Sequence, residues 1–271
     1  MNTTKPGEEG SLPRAKRSLG QNFLVDPNLI RKVVGLLHAG PGDRVLEIGP
    51  GRGALTQVLA QTGCTLFAVD KDPQLARLVK RQWPETAVAV VDALDLDWEG
   101  MSQSPDWKVI GNLPYNIASP LIWDCVSRLR EFRVLVFTVQ LEVAGRIVSA
   151  PGGRDYGALS VWVQSFARPA LAFRLSPHVF RPRPKVSSGV LVFVPVAHPP
   201  SPAVREGLAR LLALLFRQRR KQIGTVFRRS GWQGWEKALE RLKIDPELRP
   251  ERLSPQQFIQ LAETLNPHST P

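Results

Sequence analysis

The chain has 271 residues, 43% of them hydrophobic, and a formal net charge of +12. That length and apolar content exclude a wholly disordered chain and favour one large domain with a smaller one beside it. Two cysteines (Cys64 and Cys125) and four scattered histidines (His38, His178, His198 and His268) exclude a disulfide framework and a zinc site, while the charge points to a polyanionic partner.

Residues 1–13 read as a disordered tail, followed by a basic patch (Arg14, Lys16, Arg17) and by Leu19-Gly20-Gln21-Asn22-Phe23-Leu24. Asp26-Pro27 is a helix start, with Ile30, Val33, Val34 and Leu37 on one apolar face. The turn Gly40-Pro41-Gly42-Asp43 leads into a short strand, residues 44–48, which runs directly into Gly49-Pro50-Gly51-Arg52-Gly53-Ala54-Leu55-Thr56. Three glycines at alternate positions let the backbone approach a ligand closely, and the helix behind them offers its amino-terminal N–H groups. This is not the G-x-G-x-x-G dinucleotide spacing. Glu47, just before the glycines, would repel a pyrophosphate and suits a ligand that carries positive charge.

A second strand, residues 65–69, ends at Asp70, the position that takes ribose hydroxyls in doubly wound nucleotide sites. A helix (73–82), a third strand (87–91) ending at Asp92 and a fourth (107–111) ending at Asn112 follow. Four successive strands thus end in polar residues, Glu47, Asp70, Asp92 and Asn112, which predicts one crevice along the carboxyl edge of a parallel sheet. The fourth strand opens onto Gly111-Asn112-Leu113-Pro114-Tyr115-Asn116-Ile117-Ala118-Ser119-Pro120, and helical apolar spacing resumes at Leu121, Ile122, Val126 and Leu129.

A fifth strand (134–139) precedes a helix carrying Glu142 and Arg146, then a loop rich in turn residues, Pro151-Gly152-Gly153 and Tyr156-Gly157. Residues 171–175 and 189–194 form a late antiparallel pair, joined through a stiff extended loop, Phe180-Arg181-Pro182-Arg183-Pro184-Lys185. The domain boundaries expected are 14–195 for an α/β domain, 196–202 for a Pro-rich linker and 203–271 for a helical RNA-binding domain.

Charge divides along the chain. From Arg44 to Lys108 there are nine acids and seven bases, whereas 168–185 holds five bases, and 210–229 seven, without an acid. Residues 204–229 read as one helix: at about 100° per residue, Arg210, Arg217, Lys221 and Arg228 fall within about 20° of one line. Leu208, Leu211, Leu212, Leu215 and Val226 lie opposite, and Arg219 breaks the pattern on the apolar side. With Arg220, this one-sign stripe is a candidate phosphate-binding surface. A shorter helix, 254–265, closes the chain. No stretch reaches the apolar length of a membrane span and residues 1–10 lack a signal-peptide core, so a cytosolic protein is expected.

The acid–glycine turn and the acid after the second strand fit S-adenosylmethionine, a nucleoside with a cationic tail. The acceptor would then sit at Asn112-Leu113-Pro114-Tyr115. An exocyclic adenine amine is a poor nucleophile because its lone pair is delocalised into the ring. The Asn112 side-chain oxygen and the Leu113 carbonyl can accept its two N–H groups and turn the nitrogen pyramidal, Pro114 fixes the turn, and Tyr115 gives a stacking face. No strong base or metal is required.

These segments resemble the rRNA adenine N6,N6-dimethyltransferases, and most closely those of the small-subunit (16S) rRNA. The resemblance runs from Leu19 to about Leu265 and includes Gln140 with Glu142-Val143-Ala144, Tyr156-Gly157, residues 180–188 and Phe216-Arg217 through Lys221. It implies a class I S-adenosylmethionine-dependent methyltransferase fold, Rossmann-like with a mostly parallel seven-stranded sheet, and a small all-α carboxyl-terminal domain. It implies cofactor contacts at Gln21, Asn22, Leu24, Glu47, Gly49, Gly51, Gly53, Asp70, Lys71, Asp92, Ala93 and Asn112, with Phe180 helping Tyr115 hold the base. The implied partner is small-subunit rRNA within an immature subunit; a monomer is expected, although the sequence itself does not set the oligomeric state. Asp70 stands where the family more often has Glu, Leu141 where it has Lys, and Ser187 where it has Asp. The alternatives are a 23S rRNA methyltransferase of the antibiotic-resistance type and an assembly factor without catalysis. The intact Asn112–Tyr115 stretch disfavours the second.

Overall fold

The computed structural model describes residues 13–16, 19–104 and 106–265; residues 1–12 of the expected tail, Arg17 of the basic patch and residues 266–271 lie outside that set. A two-residue strand, β1 (Phe23–Leu24), precedes helix α1 (Pro27–Gly35), which Asp26 caps by accepting the N–H groups of Asn28 and Leu29. Then come β2 (Arg44–Ile48), α2 (Ala54–Leu59), β3 (Thr65–Asp70), α3 (Pro73–Gln82), β4 (Ala87–Val90), α4 (Trp98–Met101), β5 (Trp107–Asn112) and α5 (Ala118–Arg128). After these lie β6 (Val134–Gln140), α6 (Leu141–Val148), α7 (Ala158–Phe166), β7 (Ala167–Leu175), β8 (Phe180–Arg181) and β9 (Ser188–Pro195). Four helices close the chain: α8 (Pro202–Arg217), α9 (Ile223–Ser230), α10 (Trp235–Arg241) and α11 (Pro255–Leu265).

Seven strands form one sheet in the order β4-β3-β2-β5-β6-β9-β7. The first five are mutually parallel, and β9 runs antiparallel between β6 and β7. Side chains alternate across the sheet as the pleat requires. Val45, Ile110, Val136 and Val190 face one buried cluster with α1, while Leu46, Val109, Leu135 and Leu191 face another with α5 and α7. Burial on both faces is why these strands read as continuous apolar runs. Succession of the strands reverses between β2 and β5, which opens a crevice at their carboxyl ends.

Two elements lack the expected form. The single helix over 204–229 is two helices, with a turn at 218–221 between them. The first N–H groups of α9 are taken by Leu248 and Pro246 carbonyls, and these tertiary bonds replace the helical ones. The continuous basic line is therefore corrected: Arg210 and Arg217 share α8, Arg220 and Lys221 lie in the turn or just after it, and Arg228 belongs to α9. Arg219, which broke the pattern, donates to the Arg154 carbonyl at 2.8 Å and lies 3.7 Å from Glu251. It ties the turn to the loop after α6 instead of facing solvent with the others.

The second difference is β1 pairing antiparallel with β8, which clasps the segment before α1 to the extended loop after β7. Beyond residues 196–201, helices α8, α9, α10 and α11 join the buried cluster that already contains α5 and α7, so one core runs across the linker. Trp123 of α5 stacks on Trp162 of α7 within it, with ring centroids 4.0 Å apart. No helix among the described residues is long and apolar enough to cross a membrane.

Candidate active site

The carboxyl ends of β2, β3, β4 and β5, together with residues 19–23, enclose an open-mouthed cavity of about 180 Å³, room for an organic ligand and not merely a water molecule. Gln21, Asn22, Gly49, Gly51, Asp70, Lys71, Asp92, Ala93 and the whole Asn112–Tyr115 stretch line it. Nine of the twelve residues expected to touch the cofactor, Asn112 among them, thus converge from five separate segments. Leu19, Phe23, Ile48, Val69, Leu75 and Val91 complete the apolar wall. Leu19 and Phe23 belong to the segment that carries the family resemblance, but for Ile48, Val69 and Val91 the sequence carries no signal, because an apolar residue at a strand end looks the same whether it faces core or ligand.

The turn after β2 is shaped by backbone more than by side chains. Gly49 and Gly51 have φ of +66° and +58°, where side chains are disfavoured. A Cβ on Gly51 would meet the Phe23 ring at 2.8 Å, whereas one on Gly49 would meet nothing within 4 Å and would project into open space. Asp70 fastens this turn: its carboxylate accepts the Gly51 N–H at 3.2 Å and the Asp72 N–H at 2.8 Å. Burial raises its pKa, and those two backbone bonds partly offset the rise. Asp92 accepts from Lys71 Nζ at 2.5 Å and from the Leu94 N–H, and the lysine bond holds its pKa below the usual carboxylate range.

Residues 13–16 and 19–23 strap these parts together. Arg52 donates twice to the Pro13 carbonyl and lies over the Phe23 ring, 4.7 Å from its centroid. Lys16 pairs with Asp72 at 2.7 Å, and the Lys16 N–H donates to Gln21. Asn112 Nδ2 donates to the Asn22 carbonyl at 2.7 Å. A carbonyl only accepts, so this bond commits the amide nitrogen and leaves Asn112 Oδ1 as the acceptor on the opposite branch, in the cavity wall. The Leu113 N–H donates to Thr138 of β6, and the Ile117 N–H to Pro114, which fixes the turn between β5 and α5. Tyr115, half-buried, has its hydroxyl 2.8 Å from Ser188 Oγ, and desolvation raises its pKa, so it stays protonated.

Three expected cofactor contacts and one base contact need correction. Glu47 is not at the strand end in line with Asp70: it pairs with Ala68 and Ile110, inside the sheet, and pleat alternation turns it away from the cavity. Its carboxyl is 1% exposed, accepts from Thr56 Oγ1 of α2 at 2.6 Å, and leaves Oε1 without a hydrogen-bond partner. Desolvation, partly offset by Thr56, lifts its pKa to about 7. Gly53 caps α2 behind the turn, and Leu24, paired with Phe180, belongs to the core beneath the cavity. Phe180 is 1% exposed in that same core, so its ring offers no open face to a base. Leu141 and Ser187 meet through the backbone, where the Leu141 N–H donates to the Ser187 carbonyl at 2.9 Å. That bond does not depend on either side chain.

A glycine turn whose open face lacks side chains, two carboxylates on successive strand ends and apolar walls between them fit S-adenosylmethionine. The fold and this cavity define an S-adenosylmethionine-dependent methyltransferase. Residues 13–267 match the family model described as ribosomal RNA adenine dimethylase, and the chain belongs to that family. It is 48% identical to the ribosomal RNA small subunit methyltransferase A of Nitratidesulfovibrio vulgaris (strain Hildenborough), over 93% of this chain and 97% of that protein. It is 37% identical to the protein of the same name from Pseudomonas aeruginosa, over 93% and 95%. Among solved structures, a dimethyladenosine transferase from Plasmodium falciparum shares the fold with a TM-score of 0.75 at 23% identity, covering 88% of this chain and 95% of that one. The 23S rRNA methyltransferase ErmE also shares it, with a TM-score of 0.67 at 24% identity over 90% and 99%.

Proposed function

We propose that this chain transfers methyl groups to the N6 amine of two adjacent adenosines in the 3′-terminal hairpin of small-subunit (16S) rRNA, giving N6,N6-dimethyladenosine. It acts as a monomer in the cytosol on an immature small subunit, late in assembly. The choice of subunit follows the relatives that match this chain nearly end to end; the likeness to a 23S enzyme is one of fold.

When bound, S-adenosylmethionine supplies an electrophilic methyl group on its sulfonium sulfur. Gly49 and Gly51 would give its methionine portion a side-chain-free wall, Asp70 would accept from the ribose hydroxyls, and Asp92 with Ala93 would hold the base. Asn112 Oδ1 and the Leu113 carbonyl accept the two N–H bonds of the target amine and draw its lone pair out of conjugation. Tyr115 stacks on the extruded adenine and Pro114 holds the turn. Catalysis here is positioning by neutral, preorganised acceptors, and the displaced proton leaves to solvent. Exposed Arg210, Arg217, Arg220, Lys221 and Arg228 contact rRNA phosphates.

The observation that carries this reading is the orientation of Asn112, whose nitrogen is spent on Asn22 so that its oxygen serves the amine. Expression in a bacterium lacking its own small-subunit dimethyltransferase tests it. Dimethyladenosine should return at the 3′ hairpin of 16S rRNA with this chain and not with its Asn112→Ala variant. A hairpin left unmethylated by the unaltered, folded protein rules the substrate out.

A further inference from the structure

Ser188 is a polar side chain in an apolar place. It opens β9, is 0% exposed, and lies between Gln140 of β6 and Leu175 of β7 in the sheet register. The residues that follow it, Gly189, Val190 and Leu191, are buried as well. A buried hydroxyl without a partner is costly, so its retention calls for a use. Its oxygen lies 2.8 Å from the Tyr115 hydroxyl, across 73 residues of chain. Strands pair with β9 on both sides, and Ser188 is in register with both, which holds its backbone in place. Tyr115, by contrast, stands on the irregular turn between β5 and α5.

We propose that Ser188 is a positioning residue for the target adenine, acting through Tyr115. The proposal rests on the reading of Tyr115 as the stacking face. One end of the Tyr115 ring is set by its Cα, and the bond to Ser188 sets the other. Where the phenol donates, its O–H lies in the ring plane by conjugation, so the bond also favours one rotation about Cβ–Cγ. A base stacked on a ring so fixed meets Asn112 Oδ1 at a constant height and tilt. Without the bond the ring keeps its stacking area and loses its orientation. The loss falls on turnover and leaves donor binding alone, because the cavity walls around Asp70 and Asp92 are untouched.

The test is a double-mutant cycle with Ser188→Ala and Tyr115→Phe, both of which remove the bond without adding bulk. Methyl transfer to unmethylated small subunits, donor affinity by calorimetry and thermal melting are measured for each. Each single variant should lower kcat about tenfold with donor affinity unchanged, and the double variant should be no slower than either one; melting should stay near the parent's in Ser188→Ala and fall in Tyr115→Phe, which leaves the buried Ser188 hydroxyl without its partner. Fluorescence of 2-aminopurine at the target position gives a second readout: its quenching on the bound enzyme should weaken in Ser188→Ala. Wild-type turnover in Ser188→Ala, or losses that multiply to about a hundredfold in the double variant, would overturn the proposal. Tyr115→Ala separates it from the reading beneath it. A fast Tyr115→Ala enzyme removes the stacking role and the proposal together, whereas a slow one beside an unaffected Ser188→Ala removes the proposal alone.

Discussion

Asn112 Nδ2 and the backbone oxygen of Asn22, 90 residues apart in sequence, are joined by a 2.7 Å hydrogen bond. It couples the segment before α1 to the end of β5, and it decides which branch of the Asn112 amide faces the amine. Replacing Asn112 with alanine removes one acceptor of the amine's hydrogens. We predict a fall in turnover of about a hundred- to a thousandfold, the range seen when one preorganised hydrogen-bonding group is removed. Affinity for the small subunit, measured by filter binding, should stay within about twofold, since the phosphate contacts remain. Near-normal turnover in this variant would end the positioning mechanism.

Asp70 predicts a separable effect on the cofactor. In Asp70→Asn one oxygen becomes a donor, so one of the two bonds to Gly51 and Asp72 is lost and the glycine turn loosens. Loss of a charge-assisted bond of about 1.5 kcal/mol corresponds to roughly tenfold weaker donor binding by calorimetry. Small-subunit affinity should not change. Donor affinity equal to that of the unaltered enzyme would show that Asp70 does not shape the site.

Glu47 predicts an inverted pH dependence. Its folded pKa, about 7, lies above the ordinary 4.5 because burial disfavours the charge, so the folded chain binds the extra proton. Its contribution is therefore present below pH 4.5 and is lost as pH rises towards 7, on the order of 3 kcal/mol in all. Glu47→Gln should remove this decline, so that denaturant midpoints at about pH 5 and about pH 7.5 differ less than in the parent. An identical decline in both proteins would place its origin elsewhere.

The basic residues at the end of α8 and in the turn behind it are tested by salt. Arg217 and Lys221 are exposed. Neutralising both to glutamine should weaken small-subunit binding and lower the slope of log affinity against log salt by about 1.5, at roughly 0.7–0.9 for each phosphate no longer neutralised. An unchanged slope would return both to an ordinary solvated surface.

Features that leave a local or periodic mark are legible in the sequence. Strands buried on both faces appear as apolar runs, so the expected β2, β3, β5 and β6 agree with the observed strands within a residue of their ends. Asp26, Asp72 and the prolines after them mark α1 and α3. Helix α7 leaves no such mark: Val161, Trp162, Val163 and Phe166 are buried and so are Ser160 and Ser165, so its few polar residues do not gather on a solvent face to give a period. The pairing of β1 with β8 joins two residues to two others about 157 positions away, and nothing local encodes it.

The site divides in the same way. Asp70, Asp92 and Asn112 are legible because strand ends in an open parallel sheet converge on one crevice. Glu47 departs from its expected place by a single step of the pleat, which sends a side chain to the other face. Phe180 departs from its expected role because its motif fixes the loop without saying which side of the ring is covered. Arg219 is visible only as a misfit in the stripe, and the misfit has a cause, since its guanidinium is bonded to Arg154 and lies near Glu251.

The most direct test of the central claim is to incubate the protein with radiolabelled S-adenosylmethionine and unmethylated small subunits beside large subunits, then map the label. We predict label in small subunits alone, confined to two adjacent adenosines of the 3′-terminal hairpin and recovered as N6,N6-dimethyladenosine. Label in large-subunit rRNA, or on any atom other than adenine N6, would contradict the account.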